Sequence, residues 1–147
     1  RSAKAQLEYT YGGAPVETYE PTFTYFGFRY FEIEGLSSPP TTSDLQGKVV
    51  HDDVSRIGYF SSSNTLLNKI FENAVWGIRG NYRSFPTDCP QRDERLGWLG
   101  DRGMSSNGEA MIFRNITLYR KWLSDIKDAQ NEEGVIPDVA PSYYQIY

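Results

Sequence analysis

The sequence predicts a mixed fold in which a β segment, part of an antiparallel sandwich, is followed by a helical segment. Up to about residue 55, aromatic and aliphatic residues alternate with a period of two, which is the spacing of a strand. From about residue 61 the apolar residues recur at i, i+3, i+4 and i+7, which is the spacing of an amphipathic helix. A hydrophobic content of 39% in 147 residues is enough for a buried core.

The strongest β pattern lies in residues 21–35, PTFTYFGFRYFEIEG. The side chains that alternate along it are Phe23, Tyr25, Arg29, Phe31 and Ile33 on one face and Phe26, Phe28 and Tyr30 on the other. Apolar residues on both faces are typical of a strand buried between two layers. Further strands are predicted in residues 5–11 and 47–54. A few strands without partner helices favour an antiparallel sandwich.

Three helices are predicted after the β segment. The first begins at a cap formed by Ser63 or Asn64, and its apolar stripe comprises Leu67, Ile70, Phe71, Ala74, Val75 and Ile78. The second covers residues 101–113, with Met104, Met111 and Ile112 as the expected buried side chains. The third begins near Asn115, and its predicted buried face comprises Ile116, Tyr119, Trp122, Leu123, Ile126 and Ala129. We therefore expect one domain segment in residues 1–55 and another in residues 56–147, joined by a linker near residues 51–62.

Composition excludes several classes of partner. A net charge of −4 argues against a nucleic-acid-binding surface, which needs a basic stripe to displace counterions. The sequence has no run of about 18 to 20 apolar residues, so no membrane span is predicted.

The single cysteine, Cys89, has no partner for an internal disulfide. The chain has no starting methionine, and we expect it to be a piece of a longer protein. Neither the compartment nor the oligomeric state is indicated.

A strongly charged stretch, RSFPTDCPQRDERLGWLGD, occupies residues 83–101 between the first two predicted helices. Pro86 and Pro90 disfavour helix in the residues before them, so this loop should hold Asp88 in a fixed position. A carboxyl group beside an aromatic ring and a second carboxylate suits general acid catalysis at neutral pH. An aromatic ring such as Trp98 also covers the apolar face of a sugar, while fixed charges bind its hydroxyls. Glycoside chemistry is therefore the enzymatic interpretation of this loop.

Two phrases of the sequence resemble a known family. DCPQRDERLGWLGD, residues 88–101, is similar to the signature of the bacterial α-L-rhamnosidases of glycoside hydrolase family 78. PTFTYFGFRYFEIEGL, residues 21–36, resembles the end of the β-sandwich domain that precedes their catalytic domain. The resemblance implies that the helices open an (α/α)6 toroid, and that the enzyme cleaves terminal α-L-rhamnose with inversion. It implies no cofactor and no metal, and a rhamnose-containing carbohydrate as the partner.

The same resemblance assigns roles within the loop. It implies that Glu94 is the general acid and that Asp88, Arg92, Trp98 and Asp101 line the rhamnose subsite. An inverting glycosidase also needs a second carboxylate about 6.5 to 9.5 Å from the acid to activate water. In this family that base lies beyond residue 147. We therefore expect the chain alone to be an inactive fragment.

Each residue of the loop also has a structural interpretation. Glu94 can form a salt bridge with Arg92 or Arg95, and Asp88 can form an Asx-turn that shapes the loop while still binding substrate. Asp93 is interpreted as structural. The whole loop can also be a salt-bridged lid without affinity for sugar.

Three other features favour structural roles. Cys89 has no neighbouring histidine to activate it and is predicted to be a small buried residue. His51, Asp52 and Asp53 alternate across a predicted strand, so a polar strand end is favoured over a metal site. Asn115 opens an N-I-T glycosylation sequence but fits a helix cap equally well.

A second class of function remains open for the β segment. The aromatic run YFGFRY can form the platform of a non-catalytic carbohydrate-binding module, although its two-sided pattern is more typical of a sandwich core.

Overall fold

A computed structural model describes residues 4–141 of the chain. Its regular elements are a short 3-10 helix, Thr42–Asp44, and three α-helices: α1, Thr65–Gly80; α2, Leu99–Ile112; and α3, Ile116–Asp128. The chain divides into two compact units, one of Arg1–Val49 with Gln91–Asp93, the other of Val50–Pro90 with Glu94–Tyr147. None of the helices in residues 4–141 is long and apolar enough to cross a membrane.

The first unit does not show the predicted partial β-sandwich. Residues 4–49 contain local turns but no strand, and aromatic side chains of the predicted strand, such as Tyr30 and Phe31, are exposed. The local order is short in range: Glu17 accepts hydrogen bonds from the backbone N–H groups of Gly12 and Ala14 at 3.0 and 2.9 Å. A strand needs a hydrogen-bonded neighbour, and an isolated pair of strands is only marginally stable. The alternating pattern therefore marks two faces that residues 4–49 do not cover by themselves.

Helix α1 confirms the predicted cap and most of the predicted span. The Asn64 side chain accepts hydrogen bonds from the N–H groups of Leu66 and Leu67 at 2.9 and 3.4 Å, as expected of an N-cap. Val75 is buried and Ile78 is partly buried, as predicted. The expectation was wrong for Leu67, Ile70 and Ala74, which are exposed because no described element packs over that part of the stripe.

Helix α2 lies close to the predicted range but buries different residues. Met104 and Met111, predicted to be buried, are 94% and 75% exposed. The buried residues of α2 are instead Arg102 and Glu109. Charged side chains can occupy this face because they pair with each other across two helical turns.

Helix α3 begins after Asn115, as predicted, and buries Trp122. Its second buried residue is Leu118, whereas Ile116 and Leu123 are exposed, contrary to the prediction. Asn115 occupies the N-cap position without a side-chain cap bond, and its amide Nδ2 donates to the Tyr82 hydroxyl at 3.0 Å.

The apolar core of the second unit joins all three helices and the linker. Its buried members are Val75, Tyr82, Phe113 and Leu118, and the partly buried side chains packed against it are Val54, Phe71, Ile78, Ile112 and Tyr119. Residues 55–58 hold the end of α2 by backbone pairing: the N–H groups of Ile57 and Gly58 both donate to the Ile112 carbonyl, at 2.8 and 3.0 Å. The predicted linker region is thus packed onto the helices.

A buried polar network centred on Glu109 crosses this core. Glu109 is 1% exposed, and its carboxylate accepts from the hydroxyls of Tyr82, Tyr119 and Ser105, each at 2.7 Å. Its Oε1 also accepts from Arg102 Nη1 at 2.6 Å. Four donors match the acceptor capacity of a carboxylate, so the buried charge is fully solvated by the protein.

The network shifts the pKa values of its members. Burial alone raises the pKa of Glu109, but the hydrogen bonds from Tyr119, Tyr82 and Ser105, together with the Arg102 charge, outweigh it and lower that pKa below its usual range. Burial raises the pKa of Tyr82 and Tyr119, and the Glu109 carboxylate raises both further. Both tyrosines therefore remain hydrogen-bond donors at neutral pH.

Gly58 tests the packing of the linker on α2. A Cβ at this position would lie 2.1 Å from the Met111 carbonyl oxygen. We expect Gly58→Ala to lower the free energy of unfolding by about 1–3 kcal/mol through overpacking. The measurement is urea unfolding of the full-length protein that carries this chain. Gly77→Ala is the matched control, because its Cβ meets nothing within 4 Å and alanine favours α1. Equal stability of the two variants would contradict the packing.

Glu109 makes stability depend on pH. Its folded-state pKa is lowered from the usual 4.5, so its contribution is complete above about pH 4.5 and is lost as the pH falls through the folded-state pKa. Glu109→Gln should therefore cost about 3–5 kcal/mol at pH 7, because it leaves Arg102 buried without a counter-charge. The difference in unfolding free energy between wild type and variant, followed from pH 7 to pH 3, should shrink on acidification. A constant difference would show that Glu109 does not titrate with folding.

Candidate functional site

The site lies on the loop between α1 and α2, where the sequence concentrates its charge. The first part of the loop is fixed to the end of α1: the N–H of Thr87 donates to the Asn81 carbonyl at 2.8 Å. On its other side, Nη2 of Arg102 donates to the Thr87 carbonyl. Pro86 and Thr87 are both buried. The residue that precedes Asp88 is therefore held from both helices.

Asp88 closes the loop. Its N–H donates to the Leu96 carbonyl at 2.9 Å, and its Oδ1 accepts from the Leu96 N–H at 2.6 Å. The residues between them therefore form a closed turn, in which Arg95 has a positive φ of 48°. Asp88 shapes the loop through a hydrogen bond that spans eight residues, which differs from the local Asx-turn that was predicted, and its carboxylate is partly buried.

Glu94 lies inside this closed turn and is oriented by a tryptophan. Its Oε1 accepts a hydrogen bond from Trp98 Nε1 at 3.0 Å. Oxygen atoms of Glu94 and Asp88 and the Cys89 sulfur lie within 4.8 Å of one another. This spacing is compatible with cation binding, but Asp88 and Glu94 already accept hydrogen bonds from Leu96 and Trp98. Cys89 is buried, as predicted.

Trp98 is positioned by a segment that follows α3. The Leu99 N–H donates to the Asp138 carbonyl at 2.9 Å, and the Ala140 N–H donates to the Gly97 carbonyl at 3.0 Å, so Trp98 and Val139 form an antiparallel bridge. A Cβ on Gly97 would lie 2.0 Å from the Ala140 carbonyl oxygen, so only glycine permits this approach.

The Ala140 carbonyl also joins this segment to α3. The indole Nε1 of Trp122 donates to the Ala140 oxygen at 2.6 Å. Trp122 is 4% exposed, and its ring lies edge-on to Tyr119 at 5.8 Å. The residues after α3 thus support the loop that carries Trp98.

The structure brings together Asp88, Glu94 and Trp98 of the five predicted site residues. Asp101 is exposed in the first turn of α2, three residues after Trp98, where its charge is favourable for the helix dipole. Arg92 is exposed and lies in the segment Gln91–Asp93, which belongs to the first unit.

The residues near the linker also have structural contacts. The Asp52 N–H donates to the Tyr82 carbonyl at 2.8 Å, and its Oδ2 accepts from the Ser84 N–H at 2.7 Å. His51 Nδ1 lies 2.6 Å from the Asp52 carbonyl. These polar residues fix the start of the charged loop, although no strand contains them.

Sequence reasoning missed the residues that support the loop from behind, chiefly Arg102 and Glu109. Apolar periodicity does not reveal them, because the inward face of α2 is polar. The available signal was their spacing of seven residues, which places an arginine and a glutamate on one face of a helix.

Comparisons with known proteins match both segments of the chain. Residues 55–147 match the family described as bacterial alpha-L-rhamnosidase 6 hairpin glycosidase domain. Residues 1–51 match the bacterial alpha-L-rhamnosidase concanavalin-like domain. The chain is 44% identical over 142 residues to an alpha-L-rhamnosidase of Streptomyces avermitilis, covering 97% of this chain and 14% of that protein. It is 37% identical over 146 residues to one of Formosa agariphila, covering 96% of this chain and 15% of that protein.

Solved structures show the same relationship. The alpha-L-rhamnosidase of Dictyoglumus thermophilum is similar with a TM-score of 0.72 and 51% identity, over 75% of this chain and 12% of that one. The Streptomyces avermitilis alpha-L-rhamnosidase, solved in complex with L-rhamnose, gives a TM-score of 0.70 and 40% identity, over 72% and 10%. The chain therefore spans about one-seventh of the length of the curated relatives it matches, and its three helices correspond to part of their six-hairpin domain. By these matches, the chain belongs to the bacterial α-L-rhamnosidase family.

Proposed function

We propose that the protein carrying this chain hydrolyses terminal α-L-rhamnosyl units of glycosides or polysaccharides with inversion. The observation that carries the proposal is the hydrogen bond from Trp98 Nε1 to Glu94 Oε1 at 3.0 Å, within a loop closed by Asp88. It fixes one oxygen of Glu94, so that the orientation of the whole carboxyl group is defined. Such orientation is what a general acid needs to protonate a leaving oxygen.

Glu94 is the proposed general acid, and the neighbouring residues form the proposed rhamnose subsite. Asp88 and Asp101 accept hydrogen bonds from sugar hydroxyls, and Arg92 donates hydrogen bonds to the sugar hydroxyls. Trp98 contacts the apolar side of the sugar ring. Asp88 combines this role with its hydrogen bond to Leu96, since a carboxylate has further lone pairs to offer.

The rest of the enzyme supplies what this chain lacks. We place the catalytic base on a later helix of the (α/α)6 toroid, which makes the chain alone inactive. We also propose that residues 1–55 complete a β-sandwich with strands outside this chain, and that residues 56–147 open the toroid. The matched domains, which end at residue 51 and begin at residue 55, support this division.

The central test is Glu94→Gln in the full-length enzyme. We expect turnover of phenyl α-L-rhamnoside to fall by about 10²–10⁴-fold, because the amide is isosteric but donates no proton to the leaving oxygen. L-Rhamnose binding, measured by calorimetry, should remain nearly unchanged. Glu132→Gln, at an exposed position after α3, is the matched control and should keep full turnover.

Two outcomes would reject the assignment. Unchanged turnover in Glu94→Gln would exclude Glu94 as the acid. Rhamnose binding by a wild-type enzyme that hydrolyses no rhamnoside would favour the carbohydrate-binding alternative.

A second test isolates the hydrogen bond to the acid. Trp98→Phe keeps an aromatic face for the sugar but removes the N–H that orients Glu94. We expect kcat to fall about tenfold or more, as for loss of a hydrogen bond to a charged group, with a smaller change in KM. Trp76→Phe, an exposed tryptophan on α1, is the control. A loss confined to KM would show that Trp98 binds sugar without orienting the acid.

A further inference from the structure

The proposed acid loop is also held by the buried ion pair of Arg102 and Glu109, neither of which is a proposed acid or subsite residue. Arg102 is 8% exposed, and its two terminal nitrogens have different acceptors. Nη1 bonds to Glu109 Oε1 at 2.6 Å, and Nη2 bonds to the carbonyl of Thr87. The guanidinium therefore bridges the middle of α2 to the residue immediately before Asp88.

The Thr87 side chain is buried and bonded to the end of α1. Thr87 is 2% exposed, and its Oγ1 lies 3.2 Å from the Asn81 carbonyl and 3.1 Å from Asn81 Oδ1. The Thr87 carbonyl and the Asp88 N–H belong to one planar peptide group, so a displacement of the carbonyl also moves Asp88, whose two hydrogen bonds with Leu96 close the turn that contains Glu94.

Glu109 fixes the other end of the bridge. Three neutral hydroxyl donors surround its carboxylate, from Tyr82, Tyr119 and Ser105, so its position does not depend on Arg102 alone. The Arg102 guanidinium is thereby aimed at the loop by a rigid, fully buried anchor. A lysine at position 102 has a single terminal nitrogen, which does not reproduce the two contacts that the planar guanidinium makes to Glu109 and to Thr87.

We propose that Arg102, anchored by Glu109, is a positioning residue. Acting through Thr87 and Asp88, it sets the orientation in which Glu94 transfers its proton. The inference rests on the proposed function of Glu94 as general acid. It concerns how the acid is held, whereas the proposed function concerns what the acid does.

Leaving-group dependence distinguishes a positioning role from a structural one. A misplaced acid harms substrates whose leaving alcohol needs protonation, but has little effect on a leaving group that departs as a stable anion. Loss of folded enzyme, by contrast, lowers turnover of both substrates by the same factor. The ratio of kcat for methyl α-L-rhamnoside to that for 2,4-dinitrophenyl α-L-rhamnoside is therefore the informative quantity.

The experiment compares Arg102→Lys with wild type in the full-length enzyme, at temperatures well below the unfolding of either protein. We expect kcat for the methyl rhamnoside to fall by about 10²-fold, the scale of a misplacement of about 1 Å, and kcat for the dinitrophenyl rhamnoside to fall less than about fivefold. Arg56→Lys is the matched control. Arg56 also bonds a glutamate, Glu72, at 2.6 Å, but it contacts the linker and α1. Its ratio should equal that of wild type.

The outcomes separate the two hypotheses. Equal loss on both substrates, or no loss, in Arg102→Lys overturns the positioning role while leaving Glu94 as the acid. If Glu94→Gln leaves kcat for both rhamnosides at the wild-type value, the proposed function itself is overturned. If Arg102→Lys does not accumulate as folded protein, Glu109→Asp repeats the test, because it keeps the charge but withdraws the carboxylate from Arg102 by one methylene.

Discussion

The Glu109 carboxylate is the constraint on which the second unit depends. It joins four residues from three places in the chain: Tyr82 after α1, Arg102 and Ser105 on α2, and Tyr119 on α3. A buried carboxylate is stable only if its charge is compensated, so these partners must all reach one point. The three helices and the start of the charged loop are therefore fixed by the same requirement.

The network also explains why the loop can carry charge without losing its shape. Its first part is held by Asn81 and Arg102 at Thr87, and its closure is formed by Asp88 and Leu96. At Thr87 the contacts use the backbone N–H and carbonyl, whereas the closure uses the Asp88 carboxylate together with the backbone of Leu96. A rigid frame of this kind is the usual support for functional side chains on loops.

The helices were predictable from sequence because their signals are local. The spacing of Val75 and Ile78 and the cap at Asn64 need no information from distant residues. Two kinds of feature were not predictable. The exposure of Met104 and the burial of Glu109 depend on which face of α2 meets neighbouring elements. The lack of strands in residues 21–35 could not be read from their alternating pattern, because a strand also needs hydrogen-bonded neighbours.

The candidate site was likewise predictable only in part. The motif placed Glu94, Asp88 and Trp98 on one loop, and the fold brings these three together. Their support could not be deduced from the motif, because Thr87 takes part through its backbone carbonyl, which any residue type possesses.

The close approach of Gly97 to Ala140 has a consequence for biosynthesis. The backbone pairing that positions Trp98 requires residues that are synthesised only after all three helices. The turn around Asp88 is closed by a contact between residues eight apart, whereas the pairing that positions Trp98 joins residues 43 apart. The second contact closes a longer loop of chain and therefore costs more conformational entropy than the first.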